Sequence, residues 1–550
     1  MPPVPAYPPP EPLEPLPRAV LLYNGSVHSP ADPFATAMLV VEGSVAWVGQ
    51  DAAGRASAPQ GAHLVDLDGA LVTPAFVDAH VHTTGTGLSL IGLDVRPARS
   101  AAQLLDAVRR AAREAAGPQS VGPVLGSGWD ETAWPDTRLP SAEELDEAAG
   151  GRPVLLTRVD AHASLASSAA LRSLAAAHPQ RGPWESAHLT GSAHAAAARW
   201  AHDALPAAHR SLAQRAALRH AASLGIGCVH EMAGPAFSSL DDLGALLELS
   251  AQDSALPDVL GYWGELGGAE AAEGVGAIGA AGDILVDGTV GSRTAALRAA
   301  YADGTAAPAA YLTAAQVRDH VVACTRSGLQ AGFHVIGDGA LDVALAGLEE
   351  AATVVGEGPL RAGRHRLEHV ELADADAVGR LARLGVSASV QPAFDALWGG
   401  ETGMYAQRLG RERARALNPF AAMAAAGVVL ALGSDAPVTP LAPWEAVRAA
   451  THHSTPGSGL SARAAFTAHT RGGWRAARRD DAGVLAPGAP ATYAVWEAGE
   501  LLVQAPDLRV SNWSTDPRSG VPGLPDLTPG VPVPRCLRTV VRGRAVYIAA

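Results

Sequence analysis

Lysine is missing from this 550-residue chain, so all 41 basic residues are arginines and any mechanism that needs a lysine amine is excluded. Cysteine is scarce: Cys228, Cys324 and Cys536 stand far apart and never as Cys-x-x-Cys, which argues against a disulfide framework or a thiolate zinc site. Aromatic residues make up only 5%, and no stretch is apolar for the ~20 residues that a membrane span needs. The first residues, MPPVPAYPPPEPLEPLP, carry neither a basic nor an apolar leader segment, so a cytoplasmic location is expected. Basic clusters are lacking too. With a formal net charge of -14, nucleic acid and anionic membrane surfaces are not expected as partners.

What is present describes a soluble globular chain, 48% hydrophobic and 17% charged, too long for one core. Residues 1–17 read as a disordered, proline-rich tail. Residues 19–22, 38–42 and 45–49 are short apolar stretches separated by Asn24-Gly25 and Glu42-Gly43 turns, and 491–497 and 539–548 share that texture. One β-sandwich built from both ends, residues 18–70 and 480–550, is the expectation. Between them, helical patterns alternate with brief apolar runs that stop at a polar residue: 71–82, 225–231 (GIGCVHE), 283–288, 331–337 (AGFHVIG), 365–370 (HRLEHV), 385–392 (GVSASVQP) and 427–437 (GVVLALGSDAP). Polar groups at the C-terminal ends of parallel strands are where a (β/α)8 TIM-type barrel carries its site, so the α/β region 71–479 reads as such a barrel. No glycine-rich turn follows the first strand to favour a doubly wound sheet. Residues 85–206 exceed one βα connection and read as an inserted lid subdomain.

The strongest motif is an apolar strand ending in His80-Val81-His82. Residues two apart on a strand share a face, so both imidazoles can reach one metal. Asp283, His334, His369 and Asp435 then follow in order at later strand ends. Four imidazoles and two carboxylates form a nitrogen and oxygen set suited to Zn2+ or another divalent ion.

Taken together, TPAFVDAHVH, GSGWDETAWP, VDGTVGSRTA, HVIGDGAL, RLEHV and GSDAPVTPLAPW resemble the amidohydrolase superfamily, in the group labelled amidohydrolase family 3 or YtcJ-like. The resemblance runs from about Leu21 to Val546. It implies a β-sandwich beside a barrel, with His80 and His82 on one metal, His334 and His369 binding from strands five and six, and Asp435 on strand eight. One feature departs from it. Many relatives place a lysine four residues before the Asp287-Gly288 pair, carboxylated to bridge two metals; here that position is Asp283. A shorter aspartate bridges with shifted geometry, binds one metal, or fails to reach, with Glu231 as the alternative metal ligand. One or two metals per chain both stay open.

The chemistry that follows is hydrolysis of an amide, formamide or cyclic amide bond by metal-activated water, with Asp435 as general base. Alternatives are a non-hydrolytic reaction in the same barrel, such as isomerisation, hydration or decarboxylation, and an inactive binding protein. His162, Arg293, Trp129 and Gln391 are candidate substrate contacts, with Trp134 beside Trp129. His452 and His453 read as exposed. Gly337-Asp338-Gly339 lacks the full dinucleotide motif, and His334 already explains its segment. Substrate identity and the existence of a homo-oligomer are not legible in the chain.

Overall fold

The computed structural model describes residues 17–114, 122–181, 184–504, 513–514 and 522–549; all of the proline-rich tail but its last residue lies outside this set. At its centre is an eight-stranded parallel sheet whose strands follow chain order without a crossover. We number them β1 (Phe76–Val81), β2 (Ile226–Ala233), β3 (Asp258–Trp263), β4 (Gly279–Ala280), β5 (Gln330–Val335), β6 (Arg366–His369), β7 (Ser387–Val390) and β8 (Val429–Leu432). A parallel bridge from Val81 to Ala436 joins the ends, backed by Asp435 N–H donating to the His80 carbonyl at 2.8 Å. The result is a TIM-type barrel.

Strands β1, β5 and β7 are buried at every position, on both faces, which explains why they read as continuous apolar runs. The helices carry the complementary stripe. In Asp338–Val355 the buried positions Leu341, Ala344, Leu345, Leu348 and Ala351 recur at helical spacing.

Two sheets pack beside the barrel. One orders Ser44–Gly49, Ala37–Val41, Ala19–Tyr23 and His63–Asp66; the other orders Ser26–Val27, Leu71–Pro74, Tyr493–Glu497, Arg535–Val541 and Arg544–Ile548. One core joins both chain ends: Val20, Leu22 and Val40 pack with Tyr493, Val495 and Val540. Residues 71–82, expected as one strand, are therefore two. Leu71–Pro74 pairs antiparallel with Tyr493–Trp496, Ala75 N–H donates to Thr492 O, and Phe76 N–H donates to Gly225 O as the chain enters the barrel. Trp496 fills this junction, its indole N–H on Thr73 Oγ1 at 2.8 Å and its ring 5.7 Å from Phe76.

Two further barrel expectations change. Asp258–Trp263 was not among the seven candidates, and 283–288 is not a strand; β4 ends at Ala280, and Asp283 lies on the loop beyond it. Between β1 and β2, a five-stranded sheet of Leu93–Asp94, Val124–Trp129, Val154–Arg158, Ala163–Ala166 and His188–Thr190 forms a subdomain with its own core. Among the described residues no helix is long and apolar enough to cross a membrane.

Candidate metal centre

His80 closes β1, and His82 follows it with its backbone N–H on Ala436 O at 2.9 Å, so the start and end of the barrel meet at these imidazoles. His334 comes from β5 and His369 from the end of β6. Alternation along β6 sends Arg366 and Glu368 into the barrel interior. His369 should then point away, but its φ of 71° swings it back toward the same centre. Asp435 is also left-handed, at 55°. Non-glycine residues keep such angles only where the surroundings impose them, and here they occur at two of the six converging side chains.

Asp283 sits between the histidine pairs. Its Oδ2 lies 3.1 Å from His82 Nε2 and 3.5 Å from His80 Nε2; its Oδ1 lies 3.5 Å from His334 Nδ1 and 4.0 Å from His369 Nε2. The short side chain reaches because the backbone comes to it. Gly264 lies under Asp283, where a Cβ would stand 3.2 Å from the Asp283 backbone, and Gly282 turns at φ +95° against Met232. Asp435 Oδ1 faces the other side of the first pair, 3.4 Å from His80 Nε2 and 3.3 Å from His82 Nε2.

Two groups could hold a cation: His80, His82 and Asp435, and His80, Asp283 and His369, each with ligand atoms within 4.8 Å of one another. The donors fit that task. Among the described residues, His80 Nε2, Asp283 Oδ1 and Asp435 Oδ1 are buried without a hydrogen-bond partner, a rare and costly state unless a ligand is meant to sit there. The opposite ring nitrogens are tied. His80 Nδ1–H donates to Glu368 at 2.9 Å, and His369 Nδ1–H donates to Gln391 Oε1 at 2.7 Å, which fixes each tautomer with Nε2 free. Glu368 is itself held by the buried Arg366.

Electrostatics run the same way. Burial works against a charged His82, but Asp283 and Asp435 lift it to about 10, and His80 is likewise raised well above the ordinary imidazole value. Burial would raise both aspartates; His80 foremost keeps them below the usual carboxylate range. Such a centre attracts positive charge.

Several expected residues sit elsewhere. Glu231 does not join the cluster: its carboxylate accepts Thr83 N–H at 2.7 Å and caps the helix Thr83–Ile91 that follows His82. Trp129 is buried in the subdomain core with its indole on Leu156 O, and Trp134 is buried with it. Arg293 is paired with Asp303 at 2.6 Å, away from the cavity. Gln391 orients His369 instead of meeting substrate. His162 does line the cavity, 5.1 Å from the His334 ring, and burial holds it neutral by lowering it to about 3. His453 is not exposed; its side chain is buried 3.6 Å from Asp395. The glycine at 337 serves packing, since a Cβ there would stand 2.1 Å from Ala296 O, and Asp287 ties this loop down by accepting Gly337 N–H at 2.8 Å.

Sequence reasoning missed Glu368 and Glu371. Their signal was the alternation Arg366, Glu368 on a barrel strand and the step of two from His369 to Glu371. It missed the cavity wall from Phe394 to Tyr405, which carries no chemical signature. The cavity is small, about 30 Å³, and is lined by Asp283, His334, His369 and Asp435 together with Phe394, Trp398 and Met404.

The chain is 26% identical over 480 residues to N-substituted formamide deformylase from Arthrobacter pascens, covering 80% of this chain and 85% of that one. It is 25% identical over 407 residues to the putative amidohydrolase YtcJ of Bacillus subtilis, covering 70% and 74%. An uncharacterized metal-dependent hydrolase from Pyrococcus horikoshii superposes with a TM-score of 0.70 at 25% identity, over 88% of this chain and 98% of that one. The amidohydrolase family model matches residues 63–547, and with so much of its length accounted for, this chain belongs to the amidohydrolase family.

Proposed function

We propose that this chain hydrolyses a non-peptide carbon–nitrogen bond of the amide, formamide or cyclic amide kind, using a centre of two divalent ions, zinc for choice. The observation that carries this reading is Asp283, with one carboxylate oxygen toward His80 and His82 and the other toward His334 and His369. Family membership supports hydrolysis at carbon–nitrogen bonds, and the relative named for N-substituted formamides supports small N-acyl substrates.

His80, His82 and Asp435 would hold one ion, and His334 and His369 the other, with Asp283 shared. A bound divalent ion supplies Lewis acidity toward a carbonyl and toward water. The protein's own groups do the rest. Asp435 Oδ1 faces the cavity without a partner; it takes the proton of the attacking water and delivers it to the departing nitrogen. Burial in a narrow cavity excludes bulk water and strengthens each of these contacts.

Elemental analysis of purified protein beside Asp283→Ala and Glu231→Ala tests the centre. About two ions per chain, falling in Asp283→Ala and unchanged in Glu231→Ala, is the expected result. One ion per chain, indifferent to Asp283, would reject the bridging role. Turnover in ¹⁸O-water then separates hydrolysis, which labels the acyl product, from isomerisation or decarboxylation, which do not.

A further inference from the structure

Beside the metal-facing groups the cavity is lined by Ile336, Phe394, Trp398, Met404 and Val438, an apolar wall that an aryl or alkyl substituent would face. Two polar side chains interrupt it. Glu371 leaves β6 just past His369, and Tyr405 comes from the helix Met404–Leu409; both line the cavity, at 3% and 2% exposure. Glu371 Oε2, Tyr405 Oη and Nδ2 of Asn418 make no hydrogen bond of full geometry among the described residues, although the Tyr405 hydroxyl lies near enough to interact with both the Glu371 carboxylate and the Asn418 side chain. Asn418 is fastened beside them by its backbone N–H on Glu371 O at 2.8 Å. Three separate segments thus bring an incompletely bonded carboxylate oxygen, hydroxyl and amide to this region, and of these the Glu371 oxygen is the acceptor open to a ligand. Native interiors leave few such atoms unserved, and their convergence beside a cavity marks a place for a polar group of a ligand.

The charge of the lining decides what kind of group. Asp160, Asp283, Glu371 and Asp435 face the cavity, and among the described residues no arginine does. Arg158 is engaged by Asp130, Glu131 and Asp160, while Arg408 is held by Glu131 and Gly291 O. With no lysine anywhere in the chain, no lysine or arginine among the described lining residues answers a substrate carboxylate at this wall.

We propose that Glu371 and Tyr405 form a specificity subsite that receives a hydrogen-bond donor, a hydroxyl or an ammonium group, at the far end of an otherwise apolar substrate substituent. The inference rests on the hydrolase reading above and narrows it to N-acyl derivatives of amines that carry a second, donor-bearing end and no carboxylate.

The test uses four arylmethylamines, unadorned or bearing a para hydroxymethyl, aminomethyl or carboxyl group, together with their N-formyl derivatives. Binding of the amines to the metal-loaded protein is measured by calorimetry, and kcat/KM is measured on the formamides. The donor-bearing members are expected to bind about 10- to 100-fold tighter than the unadorned one, the range of a buried hydrogen bond to a charged group, and the carboxylate weakest. In Glu371→Leu that ratio collapses toward one, and in Tyr405→Phe it shrinks. Equal binding of all four by the wild type would overturn the subsite. So would variants that melt at lower temperature yet keep the full ratio, since the orphaned atoms would then be served by structural water. Binding preference without turnover would count against the hydrolase reading alone, and turnover without preference against the subsite alone.

Discussion

At the residue scale, the four histidines and Asp435 that meet at the candidate centre were readable because metal chemistry demands particular side chains at strand ends, and few other roles demand them in that order. Their supports were not readable. Gln391 is one: a glutamine at the end of a strand gives no hint of whether it faces a cavity or the back of an imidazole. Its position 2.7 Å from His369 Nδ1 predicts that Gln391→Leu weakens metal binding by about 10- to 100-fold, measured by competition with a chelator. Asp435→Asn retains the shape but cannot take a proton, so kcat should fall by about 10²- to 10⁴-fold in steady-state assays. Arg293 and Trp129 were misplaced for the opposite reason. Both are strong binding side chains in general, and here an ion pair and a subdomain core absorb them.

At the element scale, the strands that carry the converging imidazoles and carboxylates announced themselves and those that do not stayed silent. Asp258–Trp263 ends in Trp263-Gly264, with no acid or imidazole to mark a strand end, yet Gly264 is what lets Asp283 approach. A β4 of two residues is too short for any periodicity. Gly264→Ala should push the Asp283 backbone outward and lower metal content relative to wild type, read by elemental analysis on protein whose circular dichroism is unchanged. Gly225 marks the sandwich side of the barrel. It turns at φ +78° with its would-be Cβ 2.2 Å from Trp496 Cη2, so Gly225→Ala forces that indole to move. A loss of roughly 1–3 kcal/mol in denaturant melts is expected, with catalytic parameters of the folded fraction unchanged.

At the scale of the whole molecule, the split sandwich was legible because both ends of the chain share a strand-like texture, whereas register and the switch of partners at Ala75 depend on contacts that no local pattern encodes. Three distant histidines tie stability to pH across this assembly. Burial foremost lowers His28, beside Gly523 O, to about 4; it does the same to His365, beside Thr325, and to His469, beside Val77 O. Below the ordinary value of 6.5 the unfolded chain takes up these protons while the folded chain refuses them until about 4. Stability from this source is therefore complete above pH 6.5, falls as pH drops toward 4, and flattens beneath it. Denaturant titrations should show stability falling as pH drops across that window, less steeply in His365→Gln. Asp283 carries a consequence of another kind. A lysine bridge must first be made by condensation with dissolved carbon dioxide, so the assembly of such a centre answers to bicarbonate. An aspartate serving as that bridge would be complete on leaving the ribosome. Metal uptake by this protein is expected to proceed equally well in degassed, bicarbonate-free buffer, leaving its activation indifferent to the respiratory state of its surroundings.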